Sequence, residues 1–158
     1  MKNIAIIGAG GFGREVHWLI EEINNQELVW NFLGYIDDHY IKGTLVNGYP
    51  VLGDIEWLKT QKINGDPITK KKIIDKINNS DNIYPILIHP DVKMSSSVEI
   101  GEGSIICSGS ILTVNIKVGR HVIINLDSTV GHDAIISDYS TILPSVNISG
   151  YVKIGEQV

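Results

Sequence analysis

From Val92 onward the chain keeps a period of six. Read in hexads it runs VKMSSS, VEIGEG, SIICSG, SILTVN, IKVGRH, VIINLD, STVGHD, AIISDY, STILPS, VNISGY and VKIGEQ. The third place of every hexad is aliphatic, from Met94, Ile100 and Ile106 through to Ile154, and the first place holds only Val, Ile, Ala or Ser. A helix face recurs every three or four residues, and a hairpin protein would not hold one phase this long without turn insertions. Six residues make a short strand and a corner, so three hexads close a triangular coil of roughly 18 residues, and stacked coils bury the first and third places along one axis. Gly recurs in the fourth place, at Gly101, Gly119, Gly131 and Gly155. The expectation is that these glycines supply positive φ where the chain turns each corner.

The segment before the repeat has a different grammar. Asn3 to Ile7 is an apolar run ending at Gly8, and Arg14 to Ile23 places Val16, Leu19, Ile20 and Ile23 on one helix face. That predicts strand, glycine turn, helix. Phe32 to Ile36 reads as a second strand closing at Asp37 and Asp38, and Val51-Leu52 as a third. A second helix is expected from Ile68 to Asn78, capped by Asp66 with Pro67 in its first turn. Ile73, Ile74 and Ile77 would face inward, and Lys70, Lys71, Lys72 and Lys76 would form a solvated face. The fold class is therefore an α/β N-terminal Rossmann-like βαβ domain, residues 1–88, followed by an all-β domain of hexapeptide repeats, residues 89–158.

Composition narrows the function. With 158 residues, 43% hydrophobic and 20% charged, the chain can bury a core, and its net charge of −5 argues against nucleic acid or anionic lipid as partner. No run is long and apolar enough to span a membrane, so a cytoplasmic location is expected. Cys107 is the sole cysteine, which excludes an intrachain disulfide. It reads as a small buried or corner residue.

Gly8, Gly10 and Gly13 spell G-x-G-x-x-G between a strand and a helix, the arrangement that cradles phosphates. The segment before the repeat is too short for the two halves a dinucleotide requires, which disfavours NAD, but the same turn suits the diphosphate of a nucleotide-sugar. Among the five histidines, His132 falls in the fifth place of its hexad, at a corner, with Asp133 beside it to fix its tautomer. His17 reads as a partly exposed helix residue, His39 as a loop residue, His89 as a hydrogen-bonded hinge before Pro90, and His121 as a corner residue without an acidic neighbour. No spacing supports a metal site.

The whole chain resembles the sialic acid O-acetyltransferase and UDP-4-amino-sugar N-acetyltransferase family of hexapeptide-repeat acyltransferases. The residues that carry the resemblance are IAIIGAGGFGRE at the start, YIDD at 35 to 38, GDP at 65 to 67, LIHP at 87 to 90, GHD at 131 to 133 and SG at 149 and 150. The resemblance implies a left-handed parallel β-helix and a homotrimer with its site between neighbouring coils. It implies His132 as general base supported by Asp133, nucleotide-sugar contacts from Gly10, Gly11, Phe12, Asp37, Asp38 and Gly65, and acetyl-CoA contacts from Thr141 and the Gly150 amide. Two departures stand out: the strand before Gly65 reads as shortened or missing in WLKTQKINGDP, and relatives continue for several hexads past VKIGEQV, so the β-helix reads as truncated.

The expected activity is acetyl transfer from acetyl-CoA, without a metal, to an amino group of a nucleotide-linked sugar. Acetylation of a sialic acid or other sugar hydroxyl is the alternative within that class. A non-catalytic nucleotide-sugar-binding fragment is the alternative outside it.

Overall fold

In a computed structural model, described for residues 1–59, 64–65 and 83–158, the third-place side chains from Ile100 to Ile154 pack into one column. The second and third places form two-residue strands: β6 (Leu87–Ile88), β7 (Lys93–Met94), β8 (Glu99–Ile100), β9 (Ile105–Ile106), β10 (Ile111–Leu112), β11 (Lys117–Val118), β12 (Ile123–Ile124), β13 (Thr129–Val130), β14 (Ile135–Ile136), β15 (Thr141–Ile142), β16 (Asn147–Ile148) and β17 (Lys153–Ile154). Each pairs in parallel with a strand three hexads away, as Ile111 does with Thr129 and Ile123 with Thr141. The result is a β-solenoid with three faces, ordered β16-β13-β10-β7, β17-β14-β11-β8 and β15-β12-β9-β6. Strand β6, which the sequence reading left on the N-terminal side, pairs with β9 and so belongs to the solenoid.

Four of the inward first places are serines, and the column tolerates them because each hydroxyl finds a carbonyl fifteen residues on. Ser104 donates to Gly119 at 2.8 Å, Ser110 to Asn125 at 3.1 Å, Ser128 to Leu143 at 3.0 Å and Ser140 to Gly155 at 2.6 Å. A buried hydroxyl without such a partner would cost about 1–3 kcal/mol.

The corners correct one expectation. Positive φ falls in the sixth place, at Gly103, Gly109, Asn115, His121, Asp127, Asp133, Tyr139, Ser145, Tyr151 and Gln157, and not at the fourth-place glycines. Gly101, Gly119 and Gly131 answer to crowding instead. A Cβ on Gly119 would lie 2.7 Å from the amide nitrogen of Asp138, and one on Gly101 would lie 2.6 Å from the carbonyl carbon of Gly119. At these fourth places the backbone of the next coil leaves no room for a Cβ.

The described residues form two compact units, Met1–Ile83 and Tyr84–Val158. In the first, β1 (Lys2–Ile7), α1 (Gly11–Gln26) and β2 (Trp30–Ile36) make the expected strand, turn and helix, with β1 and β2 parallel. Val16, Leu19 and Ile20 are buried as the periodicity requires. His17 is buried with them, contrary to expectation, because Phe32 stacks on its ring at 4.2 Å and Tyr49 meets it edge-on at 4.5 Å.

Strand β4 (Tyr49–Gly53) extends the sheet in parallel beside β2, and β3 (Leu45–Val46) folds back onto it. Asn47 and Gly48 both take positive φ there, the tight hairpin turn that an Asn-Gly pair favours. A short α2 (Ile55–Lys59) follows. The strand expected to be shortened or missing is the two-residue β5 (Asn64–Gly65), paired with Ile6 and Ile7 on the other edge of the sheet. The helix expected over 68–78, with its cap at Asp66, its Pro67 and its lysines, lies outside the described residues. Among the described residues no helix is long and apolar enough to cross a membrane.

Candidate active site

His132 sits on the corner between the face of β13 and the face of β14. Its carbonyl accepts the amide of Tyr151 from the coil above at 2.9 Å, and the Asp133 amide reaches the Val114 carbonyl below at 3.0 Å, so both neighbours hold the turn. The left-handed φ of 58° at Asp133 turns its carboxylate to the same side as the imidazole, and Nδ1 of His132 lies 2.9 Å from Oδ2. Side chains adjacent in sequence meet only because the chain bends there.

The pair defines its own protonation. The hydrogen bonds from His132 and Asn115 hold the Asp133 carboxyl below the usual carboxylate range, so it is ionised and can only accept. Nδ1 then donates to it, and in the neutral ring Nε2 is the nitrogen that keeps a lone pair. Nε2 faces Gly150, where a Cβ would come within 2.6 Å of it. The ring of Tyr151 stands edge-on to the imidazole, centroids 5.0 Å apart.

Exposure separates His132 from His17, His89 and His121, which are buried. Its side chain is 54% exposed. His89 forms a comparable pair with Asp91, 2.6 Å away, but its ring is 7% exposed. His121 is buried between Tyr84 and Tyr139. His39 is exposed in a loop and donates its amide to Asp37.

The Gly150 amide lies in the fifth place of its hexad, outside the coil-to-coil ladder. At Arg120 the equivalent amide bonds to the carboxylate of Asp138 at 2.8 Å, and at Leu126 it bonds to the Asn125 side chain at 2.8 Å. At Gly150 no acceptor occurs among the described residues. This places an available N–H beside an available imidazole nitrogen. Thr141 is not brought to this corner: it lies on the third face of the same column, in β15. The face that begins at His132 carries an open groove of about 480 Å³ lined by Glu99, Lys117, Ile135, Ser137, Asp138 and Glu156, and His132 is not among its walls.

The N-terminal unit gathers the other expected residues at the carboxyl ends of β1, β2 and β5. Gly8 turns with φ of 98°, and a Cβ on Gly13 would collide with the Gly8 carbonyl, so these two glycines serve the strand-to-helix turn. Gly10 and Gly11 would meet nothing with a Cβ, so their bareness leaves open space in front of the first amides of α1. Those amides, at Gly11, Phe12 and Gly13, have no intrahelical carbonyl to bond. Gly65 ends β5 beside Ile7.

Asp37 and Asp38 are committed to the backbone. Oδ2 of Asp37 accepts the Ala9 amide at 2.8 Å and Oδ1 the His39 amide at 2.8 Å. Burial opposes the Asp37 charge, yet these bonds and His39 hold its carboxyl below the ordinary value. Asp38 accepts the Ile55 amide at the start of α2, at 2.7 Å. The Asp37 carboxylate thus ties into the glycine turn, and that of Asp38 into the start of α2. The sequence reading passed over Asn115 and Tyr151, which occupy the sixth place one coil to either side of Asp133. The 18-residue spacing was the signal for both.

Residues 3–77 match the family model described as the PglD N-terminal domain. A GDP-perosamine N-acetyltransferase of Escherichia coli O157:H7 is 32% identical over 161 residues, covering 98% of this chain and 73% of that protein. Among solved structures, the acetyltransferase domain of PglB from Neisseria gonorrhoeae FA1090, in complex with acetyl coenzyme A, is 28% identical with a TM-score of 0.85, over 99% of this chain and 77% of that one. WeeI from Acinetobacter baumannii AYE is 29% identical with a TM-score of 0.82, over 97% and 74% respectively. With its repeat, its glycine turn and its exposed His–Asp corner, the chain belongs to the hexapeptide-repeat sugar acetyltransferases.

Proposed function

We propose that the chain transfers the acetyl group of acetyl-CoA to an amino group on a nucleotide-linked sugar, with His132 as general base. The observation that carries this reading is the exposed His132–Asp133 pair, whose Nε2 lies beside Gly150 and its unbonded amide. In the reaction the amine nitrogen attacks the thioester carbonyl, Nε2 takes the proton released from that nitrogen, and the CoA thiolate leaves and recovers a proton. The Gly150 N–H meets the oxyanion that develops on the carbonyl. The relatives' names support the two substrates: one is a GDP-perosamine N-acetyltransferase and another holds acetyl coenzyme A.

The open glycine turn, with Gly10, Gly11 and Phe12, takes the diphosphate, and Asp37, Asp38 and Gly65 line the adjoining rim. The coils wind left-handed and the N-terminal unit is Rossmann-like, a reading that the parallel stacking of hexads and the β1-α1-β2 order support. The active assembly is a threefold oligomer in which the third face of one copy, with Thr141, meets the His132 corner of the next. The reaction belongs in the cytoplasm, where nucleotide-sugars and acetyl-CoA are available.

The test is thiol release from acetyl-CoA by the purified chain against a panel of UDP- and GDP-linked amino-sugars. Turnover with at least one is expected. Binding of a nucleotide-sugar with no turnover across the panel would make the chain a binding module instead.

A further inference from the structure

We infer that Asn115 is a positioning residue for the reaction, holding the Asp133 carboxylate so that its other oxygen orients His132. This inference rests on the reading of His132 as the base. Asn115 lies one coil below Asp133, and its Nδ2 reaches Oδ1 of Asp133 at 3.3 Å while Oδ2 serves the imidazole at 2.9 Å. The two oxygens therefore have different partners. Asn115 is itself anchored from below, its amide donating to Oγ of Ser97 at 2.9 Å.

The Asp133 side chain is 34% exposed, so burial does little to fix it. A carboxylate held at one oxygen only can rotate away from the imidazole toward water, and the imidazole then loses the bond that defines its tautomer. The Asn115 donor removes that freedom without neutralising the charge that His132 needs. Asp133 and the Tyr151 phenol are the titratable groups that meet the imidazole, and the two coils below contribute uncharged Asn115 and Ser97 to this column.

Asn115 has a φ of 56°, and asparagine is favoured in that region whether or not its side chain has work to do. Two substitutions separate the roles. Asn115→Gly keeps the backbone conformation and removes the donor. Asn115→Asp keeps the shape and replaces the donor with a second carboxylate.

The experiment follows the His132 ring by NMR titration in the full chain, alongside kcat and KM across pH. Asn115→Gly should loosen the Asp133 contact, so that His132 protonates at lower pH than in wild type. Asn115→Asp should add negative charge and move protonation to higher pH. The kcat of Asn115→Gly should fall on the order of tenfold, the usual worth of an outer partner that orients a working histidine, with KM for both substrates little changed. In an Asp133→Asn background the loss from Asn115→Gly should vanish, because the effect passes through that carboxylate. A His132 titration that stays in place in both variants, or moves the same way in both, overturns the inference. Failure of the base itself reads differently: His132→Asn would then keep full turnover whatever residue 115 is.

Discussion

Gly150 lies so close to His132 that a methyl group on its Cα would come within 2.6 Å of Nε2, the ring nitrogen that does not face Asp133. The contact joins two coils at the one corner where an imidazole faces outward. Gly150 does not have a left-handed φ, so alanine fits its backbone.

Gly150→Ala should therefore leave the fold intact and displace the ring. Thermal stability is expected to stay within a few tenths of a kcal/mol, since alanine also restricts the unfolded chain slightly. Turnover should fall by about a hundredfold, because a misplacement of about 1 Å at a reacting group costs that much. Melting and steady-state assays on the same preparation decide it, and a variant with wild-type turnover would remove Gly150 from the site.

Replacing His132 with alanine removes the Nε2 lone pair and should lower turnover roughly 10²- to 10⁴-fold while sparing nucleotide-sugar binding at the glycine turn. Replacing Asp133 with asparagine removes the ionised acceptor and lets the imidazole adopt the other tautomer, so it should also lower turnover, by less than the loss of the ring itself. Calorimetry with the nucleotide-sugar, run beside the assay, checks that binding survives. Equal turnover in His132→Ala and wild type would sink the base.

The solenoid was legible in the sequence because its code is redundant: every third place from Ile100 to Ile154 repeats one instruction, and strand pairing follows from the period alone. His132 and Asp133 were legible because corner and neighbour are local facts. Asn115 and Tyr151 were passed over because they reach the site through stacking between coils, and only a reading 18 residues apart connects them to Asp133. The corner glycines were assigned the wrong physical reason. Glycine tolerates both positive φ and close approach, and its letter does not say which is being used. His17 was misplaced because its helix face is apolar only on one side of it, while Phe32 and Tyr49, which bury it, come from strands elsewhere in the chain.

Burial of His17 pushes its pKa below the ordinary imidazole value, and Glu21 only partly offsets this. A histidine whose folded pKa is depressed favours the native state only while neutral. Its contribution is complete above the unfolded value of about 6.5 and is lost as pH falls from there through the folded value. All three tryptophans, Trp18, Trp30 and Trp57, lie in the N-terminal unit, so their fluorescence reports that unit. Urea unfolding followed this way should give a lower midpoint at pH 5.5 than at pH 7.5. His17→Phe keeps an aromatic ring against Phe32 and should remove most of that difference; a difference that persists unchanged would assign it to another group.

Crowding at the fourth place and positive φ at the sixth make opposite forecasts for two corner substitutions. A Cβ on Gly119 would meet the carboxylate of Asp138 at 2.5 Å and its backbone nitrogen at 2.7 Å, and backbone cannot step aside without opening the coil contact. It would also disturb the Arg120–Asp138 ion pair, in which Nη2 lies 2.7 Å from Oδ2. Gly119→Ala should thus destabilise the solenoid by about 1–3 kcal/mol, as overpacking commonly does. Ser145, in the sixth place with a φ of 59°, is exposed, and glycine would relieve about 1–2 kcal/mol of left-handed strain against roughly 0.5–1 kcal/mol of added chain entropy. Ser145→Gly should accordingly be neutral to slightly stabilising. Urea unfolding followed by far-ultraviolet circular dichroism measures both, and if Gly119→Ala proved harmless while Ser145→Gly weakened the fold, the two places would have to exchange roles.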